Sequence, residues 1–476
     1  MKRNLLLDLN NPANYATSVN SREEGLANHA AHSKDASYAI TKPGENPRIN
    51  LAGFSLQKYS FRGPFHIDSD MITYSKYALK LNGKTQIFIS PNDSQLLTRA
   101  SHTEIVVNLA DSIARGLSLN EDLTRAIAKG HDIGHTAFGH AGEDELEQIC
   151  QEEYCYCYAD TLRTKDAAKY TELENKYGVL SDEKLRQIPV LEKLLKEEYR
   201  DELIREFFVQ PSDVQIFSHA KQSFRLLCIL EGKKLTAQTV HGIISHKYPW
   251  NKYGDWEIDQ TEELQRTEDP NPLKQQNPAG FVDEHYRIGK EHQTYEGQVV
   301  KFADFLAFAI HDLDDALRAE KINLADLKGR FNNAFPGLNF EKYLSGPNRY
   351  ARYISQFFEA NKGHVRKGMP NLVKPDEAKE ILGWIKENII KGLIHQDKEI
   401  QRKHSEGRRY IHGLFDVWEK QGAELQGMLD EMNLVPEINT KFTKGYSPTR
   451  RFCDFISALT DNEIIKVYRH FYGPEQ

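Results

Sequence analysis

The run Lys129-Gly130-His131-Asp132-Ile133-Gly134-His135-Thr136-Ala137-Phe138-Gly139-His140-Ala141-Gly142-Glu143 sets three histidines, an aspartate and a glutamate among four glycines. A helical pattern leads into it. Asn120 suits an N-cap, Glu121 and Asp122 suit a first turn, and Leu123, Ile127 and His131 fall at i, i+4 and i+8. That spacing puts His131 on the inward face. A lone histidine there would be a hydrogen-bonded core residue. Three beside two carboxylates point to a divalent metal with acid and base groups at its rim. The glycines break the helix and turn His135 and His140 back toward the same point.

One helix end cannot surround an ion, so other elements must bring ligands. The helical period is clear from Ser94 onward, and Ile105, Val106, Leu109 and Ile113 form an apolar stripe that includes His102. Residues 296–319 read as a strong helix. Within it Asp304 precedes Phe305, Leu306 and Phe308, an apolar turn where an unpaired carboxylate is costly. An ion pair with Lys301 is the competing explanation. The expected metal ligands are therefore His102, His131, Asp132 and Asp304. Two imidazoles and two carboxylates with open positions suit manganese, magnesium or iron. Such an ion polarises a phosphoryl oxygen or generates hydroxide.

Around the metal, His140 and Glu143 stand three apart, the spacing of an imidazole–carboxylate pair on a helix. They are the expected catalytic dyad, against a capping role for Glu143 and a surface position for His140. His135 and His219 are expected donors to phosphate oxygens, and Arg99 can fork onto an oxyanion. Asp304, Phe308 and Asp312 line one helix side, with Asp312 at the substrate end. Asp314 and Asp315 read as a solvated acidic face.

The rest of the chain bounds the class. Across 476 residues, charges of 62 and 69 leave a net −7, which argues against a general nucleic-acid binder; single-stranded nucleic acid gets no support from it. Five cysteines make no disulfide framework, and Cys150, Cys155 and Cys157 lack the second pair a structural zinc wants. Reduced thiols are expected. No apolar run reaches the ~20 residues of a membrane span, and the N-terminus lacks a signal-like segment, so a cytoplasmic location is expected. Helical periods without alternating strands predict an all-α fold. The expected organisation is an N-terminal arm over 1–65, ordered against another subunit; a metal-site core over 66–320, with a helical insertion at 150–210 and a long loop at 251–295; and a C-terminal helical region over 321–476 packed on the core. An extended segment is expected at 86–91.

These residues resemble a known family. His102, His131-Asp132 and Asp304 reproduce the pattern that names the HD-domain phosphohydrolases. Residues 98–103 resemble TRLTHS, residues 131–143 resemble HDLGHPPFGHAGE, residues 217–223 resemble FEHNAQS and residues 311–315 resemble HDLDD. Residues 82–88 resemble the LxxKTQVF segment, and 454–461 resemble DYIAGMTD. Together they are similar to the deoxynucleoside triphosphate triphosphohydrolases, in their bacterial dGTPase branch. The resemblance implies an all-α HD-domain fold and hydrolysis of a deoxynucleoside triphosphate, dGTP first, to the deoxynucleoside and inorganic triphosphate. It carries metal binding onto His102, His131, Asp132 and Asp304, and catalysis onto His140 and Glu143, with His135 placed beside them. Substrate contacts fall on Arg99, His219, Asp312 and Lys247. It also implies a homo-oligomer, with a hexamer as the expected number. Two positions depart from the family. Phe308 stands where Tyr is usual, and Asn82 ends a Leu-Lys-Leu-Asn stretch where Arg-Arg-Leu-Gln is usual, so both bear on nucleotide preference. The alternative is another HD phosphohydrolase acting on nucleotide monophosphates, cyclic nucleotides or (p)ppGpp.

Overall fold

The computed structural model describes residues 62–86, 97–165, 217–246, 294–346, 349–369, 371–431 and 448–473, with parts of 23–36 and positions 171 and 175. Among these residues there is no strand, only an isolated bridge between Thr85 and Thr98, and the fold is all-α. Lys247, the extended segment expected at 86–91 beyond Gln86, most of the 150–210 insertion and nearly all of the 251–295 loop lie outside the described residues.

Capping residues set the helix boundaries. Helix α1 is Pro64–Thr73 and α2 is Lys76–Lys80, parted at Tyr74 and Ser75. Helix α3 (Arg99–Gly116) starts where the Thr98 hydroxyl accepts from the Ser101 amide. Helix α4 (Glu121–Gly130) starts where Asn120 accepts from Leu123, as its sequence predicts. Helix α5 is Gly139–Lys165, α6 is His219–Phe224 running on as a π-helical turn to Leu230, and α7 is Ala237–Ser245. The long α8, Tyr295–Arg318, is capped by Thr294. Beyond it come α9 (Leu324–Ala334), α10 (Arg349–Lys367), α11 (Asp376–Trp384), α12 (Lys398–Glu431), α13 (Pro448–Ala458) and α14 (Asp461–Tyr472).

These helices bury two hydrophobic clusters. One joins α3, α4 and α8 to α9–α11 through Val106, Ile127, Phe302, Leu306, Phe357 and Ile381. The other joins α5, α6 and α7 to α12–α14 through Leu146, Phe224, Val240, Phe415 and Phe455. Helices α3, α4 and α8 pack on one another, so side chains on their facing sides meet. The C-terminal helices contribute to both clusters.

The part of the N-terminal arm that is described packs on its own chain. The Ala31 amide donates to Glu296 at 3.0 Å, the Ala27 amide donates to the Ser118 carbonyl, and the Asn120 amide donates to the Ala31 carbonyl at 2.9 Å. The described residues Ala27 and Ala31 thus bond to their own chain. Glu296 is fully buried and has amide donors from both Ala31 and Asn120, which reward an intrachain contact.

One buried pair ties the α6 segment to α13. Asp454 on α13 accepts from Arg225 through Nε at 2.5 Å and Nη2 at 2.7 Å, and from Gln222 at 3.0 Å. Both charged side chains are buried. Truncating one partner strands the other charge, which typically costs about 3–5 kcal/mol. Asp454→Ala is expected to lower the urea unfolding midpoint accordingly; an unchanged midpoint would show that the pair does not hold the two segments together.

Candidate metal centre

Three helices converge on one point. His102 lies in the first turn of α3, His131 follows the last residue of α4, Asp132 comes next, and Asp304 sits in the middle of α8. His102 Nε2 is 3.0 Å from Asp304 Oδ1 and 4.0 Å from Asp132 Oδ2. His131 Nε2 is 3.4 Å from Asp132 Oδ1 and 3.6 Å from Asp304 Oδ1. Donors ~2.1 Å from one ion stand about 3.0 Å apart when adjacent and about 4.2 Å when opposite. These four separations fall inside that range; His102, His131 and Asp132 form the tight three-ligand group, and Asp304 adjoins its two histidines.

The chemistry of His131 fits an ion. Its Nδ1–H donates to the Ala128 carbonyl at 2.7 Å, which aims Nε2 at the cluster. That Nε2 is buried and has no hydrogen-bond partner. A carbonyl holding the far nitrogen is the usual support of a ligating imidazole. Burial opposes charge on the ring, yet Asp132 and then Asp304 outweigh it and raise the His131 pKa to about 9. The pocket therefore favours a cation. His102, His131 and Asp132 are buried, while the Asp304 carboxylate is 27% exposed and marks the open side.

Two glycines allow the chain to wrap the site. Gly134 sits so close to α6 that a Cβ there would lie 2.1 Å from the His219 carbonyl oxygen and 2.2 Å from the Ser223 amide. Only hydrogen fits. The Gly134 amide donates to Ser223 Oγ at 2.8 Å, which fixes α6 against the His131 turn. At Phe138 and Gly139 φ turns positive, 63° and 59°, and the chain reverses into α5. The Phe138 amide donates to Asp461 at 3.0 Å, which holds the turn.

That turn decides the partner of Glu143. The dyad was expected between His140 and Glu143. Instead Glu143 accepts from the His219 amide at 3.1 Å, and both its oxygens stand 3.0 Å from His219 Nδ1. His140 is exposed at the start of α5, with its ring 6.1 Å from His135 and 6.2 Å edge-on to Phe308. Spacing along one helix suggested His140, but α6 lays His219 directly across Glu143. His135 stacks on His219 at 3.8 Å and reaches Asp132 Oδ1 with Nε2 at 3.4 Å. Burial, followed by Arg99 and His219, holds His135 well below the ordinary histidine value, so it is neutral.

Other expected contacts divide. Arg99 is buried, and its Nη1 donates to Asp132 at 3.0 Å and its Nε to the Thr85 carbonyl at 3.2 Å; it holds a metal-side carboxylate while one nitrogen, Nη2, has no partner. Asp312 is fully buried with both oxygens lacking a partner, and burial pushes its pKa well above the ordinary range. Phe308 is half-buried at the cleft. Asn82 is exposed, and its side-chain amide donates to the Leu79 carbonyl at 3.1 Å. The face expected to be solvated at Asp314 and Asp315 is not. Asp314 pairs with Arg349, and Asp315 is buried, accepting from the Leu97 amide at 3.2 Å and Arg318 at 2.9 Å.

Three residues at the site escaped the sequence reading. His246, just past α7, donates Nδ1–H to the Ile243 carbonyl at 2.6 Å and turns Nε2 to His219 Nε2 at 3.1 Å. Its only sequence signal is a carbonyl three residues earlier, the same spacing as His131 and Ala128. Lys84 is 1% exposed and donates Nζ to the His135 carbonyl at 2.5 Å and the Ser457 carbonyl at 2.6 Å. Gln86 is buried beside Asp312 with its amide atoms unpartnered.

The sequence matches known families. The HD domain model matches residues 99–309, and the phosphohydrolase-associated domain model matches residues 372–470. The chain therefore contains an HD domain, with its helical phosphohydrolase fold. A relative from Caldanaerobacter subterraneus subsp. tengcongensis is 25% identical over 422 residues, covering 88% of this chain and 87% of its own. One from Desulfatibacillum aliphaticivorans is 29% identical over 418 residues, covering 87% and 88%. One from Wolinella succinogenes is 24% identical over 448 residues, covering 87% and 96%. Each of the three is named a deoxyguanosinetriphosphate triphosphohydrolase-like protein. Among the described residues no helix is long and apolar enough to cross a membrane.

Proposed function

We propose that this chain hydrolyses a deoxynucleoside triphosphate, dGTP first, to the deoxynucleoside and inorganic triphosphate. The observation that carries the reading is the buried His131 Nε2, without a hydrogen-bond partner, among His102, Asp132 and Asp304. The names of the relatives supply the substrate class. His102, His131, Asp132 and Asp304 would hold a divalent ion, manganese, magnesium or iron. When bound, that ion supplies Lewis-acid polarisation of a phosphoryl oxygen and acidifies water.

The chain's own groups do the rest. Glu143 holds the His219 ring through Nδ1 and fixes its orientation, so His219 Nε2 can move a proton at the attacking water or the leaving 5′-oxygen. Neutral His135 and the outer His140 are donors to phosphate oxygens. Arg99 offers its free nitrogen to the same oxygens while holding Asp132. Asp312, whose pKa burial pushes well above the ordinary range, can bond a sugar hydroxyl, with Gln86 beside it. Lysines flank the open side: the Lys374 amine lies 4.2 Å over the Phe305 ring and the Lys386 amine 6.0 Å from the Phe308 ring centre. They give that side a positive field for an anion. We further propose the homo-oligomer, with a hexamer as the number to test, and the domain divisions at 65 and 320.

The test is product analysis. The purified protein with Mn²⁺ or Mg²⁺ and each of the four deoxynucleoside triphosphates should release tripolyphosphate and deoxynucleoside, fastest with dGTP. Release of pyrophosphate or orthophosphate without tripolyphosphate would contradict the reading. Turnover of nucleotide monophosphates, cyclic nucleotides or (p)ppGpp in its place would favour the alternative within the family.

A further inference from the structure

Away from the metal, two thiols meet in the interior. Cys150 on α5 and Cys453 on α13 lie 303 positions apart in sequence, with their Sγ atoms 3.2 Å from each other. Their exposures are 1% and 0%. Cys228, the other described cysteine, is buried and free. Sulfur atoms this close need only small side-chain rotations to bond.

We propose that Cys150 and Cys453 form a dithiol that a peroxide oxidises to an intramolecular disulfide, stapling α5 to α13. The chemistry balances with one peroxide. One thiolate attacks the peroxide oxygen, giving a sulfenic acid and water. The second thiolate then attacks that sulfur, and the sulfenic oxygen leaves as a second water. Two electrons pass from the two sulfurs to the peroxide, and both thiol protons end in water.

The position gives the bond consequences. Glu143 lies seven residues before Cys150, two turns up the same helix. Cys453 adjoins Asp454, which holds Gln222 and Arg225 of the segment that begins with His219. The staple therefore joins the two helices that fix the Glu143–His219 pair, and it links the two matched regions, 99–309 and 372–470. Closing so long a loop constrains the unfolded chain strongly. The adjacent sulfur, then burial, hold the Cys150 thiol well above its ordinary value, so little thiolate is present. Oxidation is consequently slow, and the reduced pair persists in a reducing medium.

The test uses the metal-loaded full chain, freed of reductant and treated with hydrogen peroxide, then denatured and alkylated. Of five cysteines, two should lose their label, a Cys150–Cys453 cross-linked peptide should appear, and dithiothreitol should restore both labels. The oxidised protein should melt several degrees higher. In Cys453→Ser the cross-link and the shift in melting should both vanish. Full labelling after treatment would overturn the proposal. So would Cys150 joined to Cys155 or Cys157, or over-oxidation of Cys150 without a cross-link. The peptide map of the unaltered protein decides the matter even if the variant folds poorly.

Discussion

Asp132→Ala is expected to remove the metal and the activity together. Its carboxylate faces Arg99 at 3.0 Å, His131 and His135 at 3.4 Å, His219 at 3.9 Å and His102 at 4.0 Å. No other side chain in the site touches so many partners. Removing it takes away one of two anionic ligands and leaves the buried Arg99 cation without its ion-pair partner. An ion at such a site supplies several kcal/mol of charge stabilisation, and each ~1.4 kcal/mol is tenfold in rate. Turnover should fall at least about 10³-fold, with metal content falling in step. Asp132→Asn keeps the shape and an acceptor for Arg99 but loses the charge. It should fold, lose metal and lose turnover. A variant that keeps its metal and loses activity would assign Asp132 to another role.

Glu143→Gln is expected to divide the two properties. Glu143 bonds the His219 amide and ring and stands 4.0 Å from His135 Nδ1, one step back from the ligand quartet. The amide side chain still accepts from the His219 backbone but no longer places a negative charge on the ring. A positioned acid or base is worth typically about 10²–10⁴-fold. Turnover should drop by that factor while metal content per chain stays constant. His219→Ala should match it, and His140→Ala should cost less, because His140 is exposed and neither Glu143 oxygen is seen bonded to it. Equal metal loss in Glu143→Gln and Asp132→Ala would contradict the division of roles.

Much of the metal centre was legible because periodicity carries direction. Leu123, Ile127 and His131 share a helix face, and that face is buried; His102 lies on the stripe of Val106, Leu109 and Ile113, which is buried too. Asp304 was marked by its apolar neighbours, and its partner is His102, not Lys301 alone. What periodicity does not carry is which distant element crosses a given residue. Glu143 and His140 are neighbours in sequence, but His219 arrives 76 positions later through an approach that only Gly134 permits. His246, Lys84 and Gln86 were missed for the same reason. Each is ordinary in its own segment and acquires a role only from what is folded over it. Asp314 and Asp315 looked like a solvated face because helical spacing alone cannot reveal Arg349 or the Leu97 amide.

An anomalous difference map from crystals soaked in Mn²⁺ tests the central claim most directly. The account predicts a single strong peak within bonding distance of His102, His131, Asp132 and Asp304 together. A peak elsewhere, or none in metal-saturated and active crystals, would contradict it.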